Sequence, residues 1–159
     1  MKTLSRLLLT LGFAATTLVS GVAAARSVPA IAGHAYSPSS QTCFFPQSGW
    51  ASVTNSCNST QSFVVPLENT LTATGSVTIK ADAGYNCTTQ ICPSAAPNCT
   101  AFQVNADGGL VTSKSATLNK GNTTVGTFSS VAPTDTLHLV CDVAGTDSFQ
   151  PLGLMSVNW

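Results

Sequence analysis

Apolar and polar residues alternate along much of the chain beyond residue 43, in short runs separated by turn-forming residues. Phe63, Val65 and Leu67 alternate, as do Val77, Ile79 and Ala81, then Phe102 and Val104. Leu137, Leu139, Cys141 and Val143 form the clearest set, and Met155, Val157 and Trp159 end the sequence in the same rhythm. A period of two in runs of this length predicts half-buried antiparallel strands. No comparable helical stripe appears beyond residue 25, where Thr and Ser make up roughly a quarter of the positions, and hydroxyl-rich stretches disfavour helix. The sharpest local signal is N-A-D-G-G-L at 105–110, in which Asp107-Gly108 suits the positive φ of a tight hairpin turn between two strand-like runs.

These runs predict an all-β fold, a single antiparallel β-sandwich or small barrel of about eight short strands. Residues 26–42 hold Pro29, Gly33 and Pro38 without a sustained period and read as an irregular N-terminal lead-in to a domain over 43–159. The stretch from Cys87 to Cys99, with Pro93 and Pro97, reads as a disulfide-tied loop, and no internal repeat is present.

Residues 1–25 have another character. Lys2 and Arg6 precede an uncharged run from Leu7 to Val22, and Ala23, Ala24 and Ala25 then supply the small residues of a cleavage site before Arg26. This is the layout of a secretory signal peptide cut between Ala25 and Arg26. The run is shorter than the ~20 residues needed to span a bilayer, so stable membrane insertion after cleavage is not expected. No cysteine precedes Cys43, which leaves no lipid-anchoring site near the cut.

Composition narrows the partners. Beyond Ala25, four basic residues (Arg26, Lys80, Lys114, Lys120) face six acidic ones, a net charge near −2. There is no basic excess to neutralise phosphates, which excludes nucleic acid as an expected partner. All six cysteines (Cys43, Cys57, Cys87, Cys92, Cys99, Cys141) lie in the exported part. An even number in an oxidising compartment reads as disulfides, and the spacing fits no C-x-x-C zinc pair.

Six cysteines allow fifteen connectivities. If the strand after Cys99 pairs with the one before Cys141, those two lie close across an antiparallel ladder. Parity opposes this, because Cys141 shares the inward side with Leu137 and Leu139 whereas Cys99 alternates against Phe102 and Val104. A bulge or strand end at Cys99 would reconcile the two. The other four close locally, as Cys43–Cys57 and Cys87–Cys92, or link the early strands to the Pro-bearing loop.

The motifs N-C-T-A-F-Q-V-N-A-D-G-G at 98–109 and T-L-H-L-V-C-D-V at 136–143, followed by a closing strand through Trp159, resemble those of a set of small secreted bacterial proteins of unknown function, known mainly from soil bacteria. Cys43 matches the early cysteine of that frame. Its Cys-Pro-aliphatic site falls on Val65-Pro66-Leu67, where the cysteine is missing, and Cys57, Cys87 and Cys92 look like additions. The resemblance implies a disulfide-bearing β-sandwich and carries no catalytic residues.

Candidate chemistry is sparse. His34 lies in the lead-in and His138 on the face opposite Leu137 and Leu139; neither accompanies a nucleophile motif. Asp142 and Asp147 are too few carboxylates for a calcium cage without several carbonyl donors, and Glu68 is the only glutamate, with nothing around it to mark it. No metal or cofactor is expected. Phe44, Phe45 and Trp50 in C-F-F-P-Q-S-G-W are the one candidate ligand-stacking cluster; they either stack on sugar rings or cap one end of the core beside Cys43. The sequons at Asn58, Asn86, Asn98 and Asn122 matter only in a eukaryotic secretory pathway.

The expectation is therefore a secreted, non-enzymatic β-sandwich with a binding or structural role at a surface. A carbohydrate-binding, lectin-like module is one alternative and would need Trp50 in an exposed row with Phe44 or Phe45. A pilin- or coat-like assembly subunit is another and would need an incomplete sandwich completed by a neighbour's strand. The terminal aromatic Trp159 also raises an outer-membrane barrel, whose strands of about ten residues exceed those read here.

Overall fold

The computed structural model describes residues 26–47, 52–83, 96–119, 121–145, 153–154 and 156–159. Twelve strands lie among them: β1 (Ser27–Pro29), β2 (His34–Ala35), β3 (Phe44–Gln47), β4 (Ser52–Asn55), β5 (Gln61–Leu67), β6 (Gly75–Asp82), β7 (Asn98–Val104), β8 (Leu110–Thr117), β9 (Asn122–Val131), β10 (Thr136–Val143), β11 (Gly153–Leu154) and β12 (Ser156–Asn158). Every pairing is antiparallel. The order is β2-β5-β10-β7-β8 in one sheet, β1-β12-β6-β9 in a second and β11-β4-β3 in a third. The chain is all-β, with two short 3-10 turns and no longer helix among the described residues.

The two larger sheets feed one core. Phe63, Val65 and Leu67 of β5, Leu137, Leu139, Cys141 and Val143 of β10, and Cys99 and Ala101 of β7 meet Val77, Ile79 and Ala81 of β6 and Val125, Phe128 and Val131 of β9. Each Val, Leu, Ile or Phe so buried contributes roughly 1.5–3 kcal/mol of transfer free energy. The outer faces are hydroxyl-rich: Thr78 and Thr127 oxygens lie 2.9 Å apart across β6–β9, and Thr100 and Ser115 oxygens 2.8 Å apart across β7–β8.

The hairpin at 105–109 forms as its sequence predicts. Gly108 takes φ +80, its N–H donates to the Asn105 carbonyl at 3.0 Å, and the Asn105 side chain accepts the Gly109 N–H at 2.7 Å. A left-handed residue after a type I turn is the usual closure of a three-residue hairpin loop.

Cys99 and Cys141 are directly opposed on β7 and β10, with Cα atoms 4.0 Å apart, and are bonded to each other. The parity conflict disappears because β7 is turned over relative to the sequence expectation. Its core face carries Cys99, Ala101 and Gln103, while Phe102 and Val104 are half-buried on the outside. Packing explains the reversal: Leu139 and Leu137 on β10 stand opposite Ala101 and Gln103, so large side chains face smaller or hydrogen-bonded ones. Gln103 is tolerated inside because its amide donates to the Ser130 carbonyl at 2.9 Å and to the Asp135 carboxylate at 2.6 Å.

Cys43 and Cys57 are also joined, closing the open end of the β3–β4 hairpin, where Ser56 N–H donates to the Cys43 carbonyl at 2.8 Å. Asn55, fully buried beside this bond, is satisfied at both ends: its amide nitrogen donates to the Ser59 and Val143 carbonyls, each at 2.8 Å, and its oxygen accepts the Cys57 N–H. Cys87 and Cys92 lie outside the described residues, as do Ala25 and the rest of the expected signal segment.

The expectation for residues 26–42 needs correction. They are not irregular throughout: β1 pairs with β12, β2 pairs with β5, and Ala30 between them is fully buried in the core. Strands of two or three residues at a sheet edge are held by backbone hydrogen bonds, which leave no hydrophobic period to read.

Candidate functional site

Of the aromatic cluster read from the sequence, the described residues Phe44 and Phe45 do not lie side by side on one face. Phe44 and Phe45 are consecutive on β3, and successive side chains of a strand point to opposite faces. Phe44 packs on Phe63 with ring centroids 4.8 Å apart, whereas Phe45 is 54% exposed. Trp50 lies outside the described residues. Of the two described members, Phe45 is the one exposed to meet a ligand.

The two histidines share the outer face of the five-stranded sheet without forming a site. His34 opposes Val64, and His138 stands between Pro66 and Phe102 in register. Asp142 accepts a hydrogen bond from Ser62 Oγ at 2.6 Å, while Asp147 lies outside the described residues. No three His, Cys, Asp or Glu side chains gather as metal ligands among the described residues.

A cleft forms instead where β1 meets β12 beside the end of β5. It measures about 600 Å³ and is lined by Arg26, Ser27, Ala32, Pro66, Leu67, Glu68 and Trp159. That volume lies within the range of small-molecule sites, roughly 300–1,000 Å³. Backbone pairing builds it: Arg26 N–H donates to the Trp159 carbonyl at 2.7 Å and Trp159 N–H to the Arg26 carbonyl at 2.9 Å, extending the β1–β12 ladder by one residue.

Side chains then fix the walls. The Arg26 guanidinium donates to Glu68 Oε2 at 3.0 Å, and the Trp159 indole N–H donates to the Glu68 carbonyl at 2.9 Å. Glu68 is thus held at both its carboxylate and its main chain. The ion pair is open to water, with the two side chains 41% and 83% exposed, so its contribution to stability is small, about 0–1 kcal/mol. Its chemical effect is to place N–H donors and carboxylate acceptors on the rim of an apolar hollow. The only polar atom of the indole is committed to Glu68; the half-buried ring packs partly against the core, and its remaining carbon surface lines the cleft.

Sequence reasoning missed this group. Glu68 carries no motif, Arg26 stands in the sequence only as the residue after the expected cut, and Trp159 as the end of a closing strand and the terminal aromatic that raises a barrel. Nothing short of the β1–β12 and β5 positions brings them together. No protein-family model, curated protein or solved structure was found to match the chain. The resemblance to small secreted bacterial proteins therefore rests on its short motifs alone.

Proposed function

We propose that this protein is a secreted, non-enzymatic β-sandwich, stapled by disulfides, that binds a small extracellular ligand in the cleft between Arg26, Glu68 and Trp159. The observation that carries the reading is preorganisation: the cleft wall is held by two backbone hydrogen bonds between Arg26 and Trp159 and by the Trp159 indole on the Glu68 carbonyl, so a ligand has little main-chain ordering to impose. Two disulfides support an oxidising compartment, and among the described residues no helix is long and apolar enough to cross a membrane. The signal-peptide layout of residues 1–25 completes the export reading.

The edges of the larger sheets favour a binding module over an assembly subunit. β1 and β2 offer only three and two residues. β9 carries two register shifts, and β8 carries one together with Lys114 on its core-side face, opposite Ala101. Short, bulged or inward-charged edges are the usual defences against strand addition.

Fragment screening by thermal shift tests the proposal. Hits that raise the melting temperature of the native protein should lose their effect in Glu68→Ala, whose exposed side chain can be removed without unfolding. Hits unaffected by that change, or a screen without hits, would overturn it.

A further inference from the structure

We infer that the ligand class of this cleft is a neutral saccharide, bound with a sugar ring against Trp159 and its hydroxyls on Arg26, Glu68 and Ser27. The inference rests on the cleft being a ligand site and goes on to name what fills it.

Charge decides first. The guanidinium and carboxylate sit 3.0 Å apart and neutralise one another, and the Arg26 main-chain nitrogen, an ammonium once the signal segment is cut, is taken up by the Trp159 main-chain oxygen at 2.7 Å. A phosphate or carboxylate ligand would gain Arg26 only by displacing or opposing Glu68, and an ammonium ligand meets the reverse problem. A neutral ligand rich in hydroxyl groups avoids both penalties. Each of its oxygens can accept from the spare guanidinium N–H groups while its O–H groups donate to the carboxylate, without breaking the pair. Hydrogen bonds to charged partners are worth more than those between neutral groups, so an already-formed ion pair is a strong receptor for hydroxyls.

The apolar surface selects within that class. Trp159 has its N–H donated to the Glu68 carbonyl, and Pro66 and Ala32 add further non-polar lining. A pyranose ring presents C–H bonds along its faces and hydroxyls around its rim. The C–H groups are weakly positive and suit the negative face of an aromatic ring. A simple polyol lacks the rigid flat face, and an aromatic ligand lacks the rim. The openness of the hollow to solvent fits one or two rings of a longer chain rather than an enclosed monosaccharide.

The test is a ¹H–¹⁵N titration of the native protein with cellotetraose, chitotriose, xylotriose and mannotriose, alongside inorganic phosphate, N-acetyl-lysine amide and indole. At least one oligosaccharide should shift the Trp159 indole N–H and the Glu68 amide saturably. Glu68→Ala should weaken that saccharide by about ten-fold, and Trp159→Ala should abolish its binding; unchanged spectra elsewhere in Glu68→Ala guard against misfolding. Shifts produced only by phosphate, N-acetyl-lysine amide or indole would overturn the saccharide class and leave the cleft as a ligand site. Saccharide shifts confined to Phe45 and its neighbours would overturn the assignment to this cleft, and silence from all seven probes would remove both readings.

Discussion

The middle of the five-stranded sheet and the flank where β8 faces β9 are built on opposite principles. In the middle, β10 lies between β5 and β7 with an unbroken register on both sides, and every second residue from Leu137 to Val143 is buried. On the flank, β8 has no buried residue at all, and β9 buries Val125, Phe128 and Val131, three positions apart. The three-residue step arises from register shifts against β6 between Gly75 and Val77 and between Ile79 and Lys80, each of which inserts an unpaired residue and turns the strand. A central strand is shaped by packing on two neighbours. An edge strand is shaped as much by what it must avoid.

Removing the bond that staples the middle is expected to have the largest effect. The Cys99–Cys141 link spans a sequence separation of 42, for which the loop-entropy account gives roughly 4 kcal/mol. The double variant Cys99→Ala/Cys141→Ala should lose about that much in urea unfolding. Loss of Cys43–Cys57, with a separation of 14, should cost less, about 3 kcal/mol. A reversed order would show that the rim hairpin, and not the sheet centre, holds the fold together.

The same contrast governs what could be read in advance. The period of two exposed β5, β6 and β10, and Asp107-Gly108 exposed the β7–β8 turn, because those elements are regular or need a special residue. The all-β class and the Cys99–Cys141 neighbourhood followed from them. The faces of β7 were inverted because Ala101 and Gln103 do not advertise burial, whereas Phe102 and Val104 do. β9 escaped, and β8 could be read only as the run that follows the turn, because neither keeps a clean alternation. The cleft escaped entirely, since Arg26, Glu68 and Trp159 meet only through backbone pairing of distant segments.

The turn that carries the chain from the flank to the middle should be the next most sensitive point. Asp135 is buried where β9 leads into β10, and its Oδ2 accepts the Ala132 N–H at 2.9 Å and the Gln103 amide at 2.6 Å. Asn69 braces the same turn by donating to the Ala132 and Asp135 carbonyls at 2.7 and 2.9 Å. Asp135→Ala strands two donors and should cost on the order of 2–3 kcal/mol. Asp135→Asn retains an acceptor and should recover at least half. Equal losses in both variants, measured by urea unfolding, would mean that charge rather than hydrogen bonding secures the turn.

A smaller effect should come from the contact between the two flanking strands. Gly126 on β9 lies beneath the stem of Lys114, and a methyl group there would meet the Lys114 Cβ and Cγ. Those atoms are near the backbone and cannot swing away, so β8 would have to move. Gly126→Ala should therefore cost about 1–2 kcal/mol through overpacking. Removing both atoms should relieve most of it: the double variant Gly126→Ala/Lys114→Gly should show a coupling of at least ~0.5 kcal/mol. Additive losses would mean that the strain lies in the bulged backbone of β9 instead.

The least change in stability, and the most direct probe of edge protection, is expected from Lys114→Val. Lys114 is exposed although it sits on the core side of β8, because β8 ends its sheet and the side chain extends over Gly126 towards solvent. A valine there removes no buried contact of the ammonium group, so unfolding free energy should stay within ~0.5 kcal/mol of the native protein. Association should change much more. Leu110 and Val111 are already 62% and 52% exposed on this strand, and Lys114 is the only charge in the sequence from Leu110 to Thr117. Without it, β8 becomes an uncharged strand of high β-propensity with an open hydrogen-bonding edge, which is the composition that pairs with its own copies. Sedimentation velocity should show the native protein unchanged with concentration and the valine variant shifting to dimers or larger species. Lys114→Glu, which restores a charge of the other sign, should return the native profile. If the valine variant sediments like the native protein at every concentration, the single register shift between Gln103 and Val104 is enough to guard the edge, and the lysine serves only to cover Gly126.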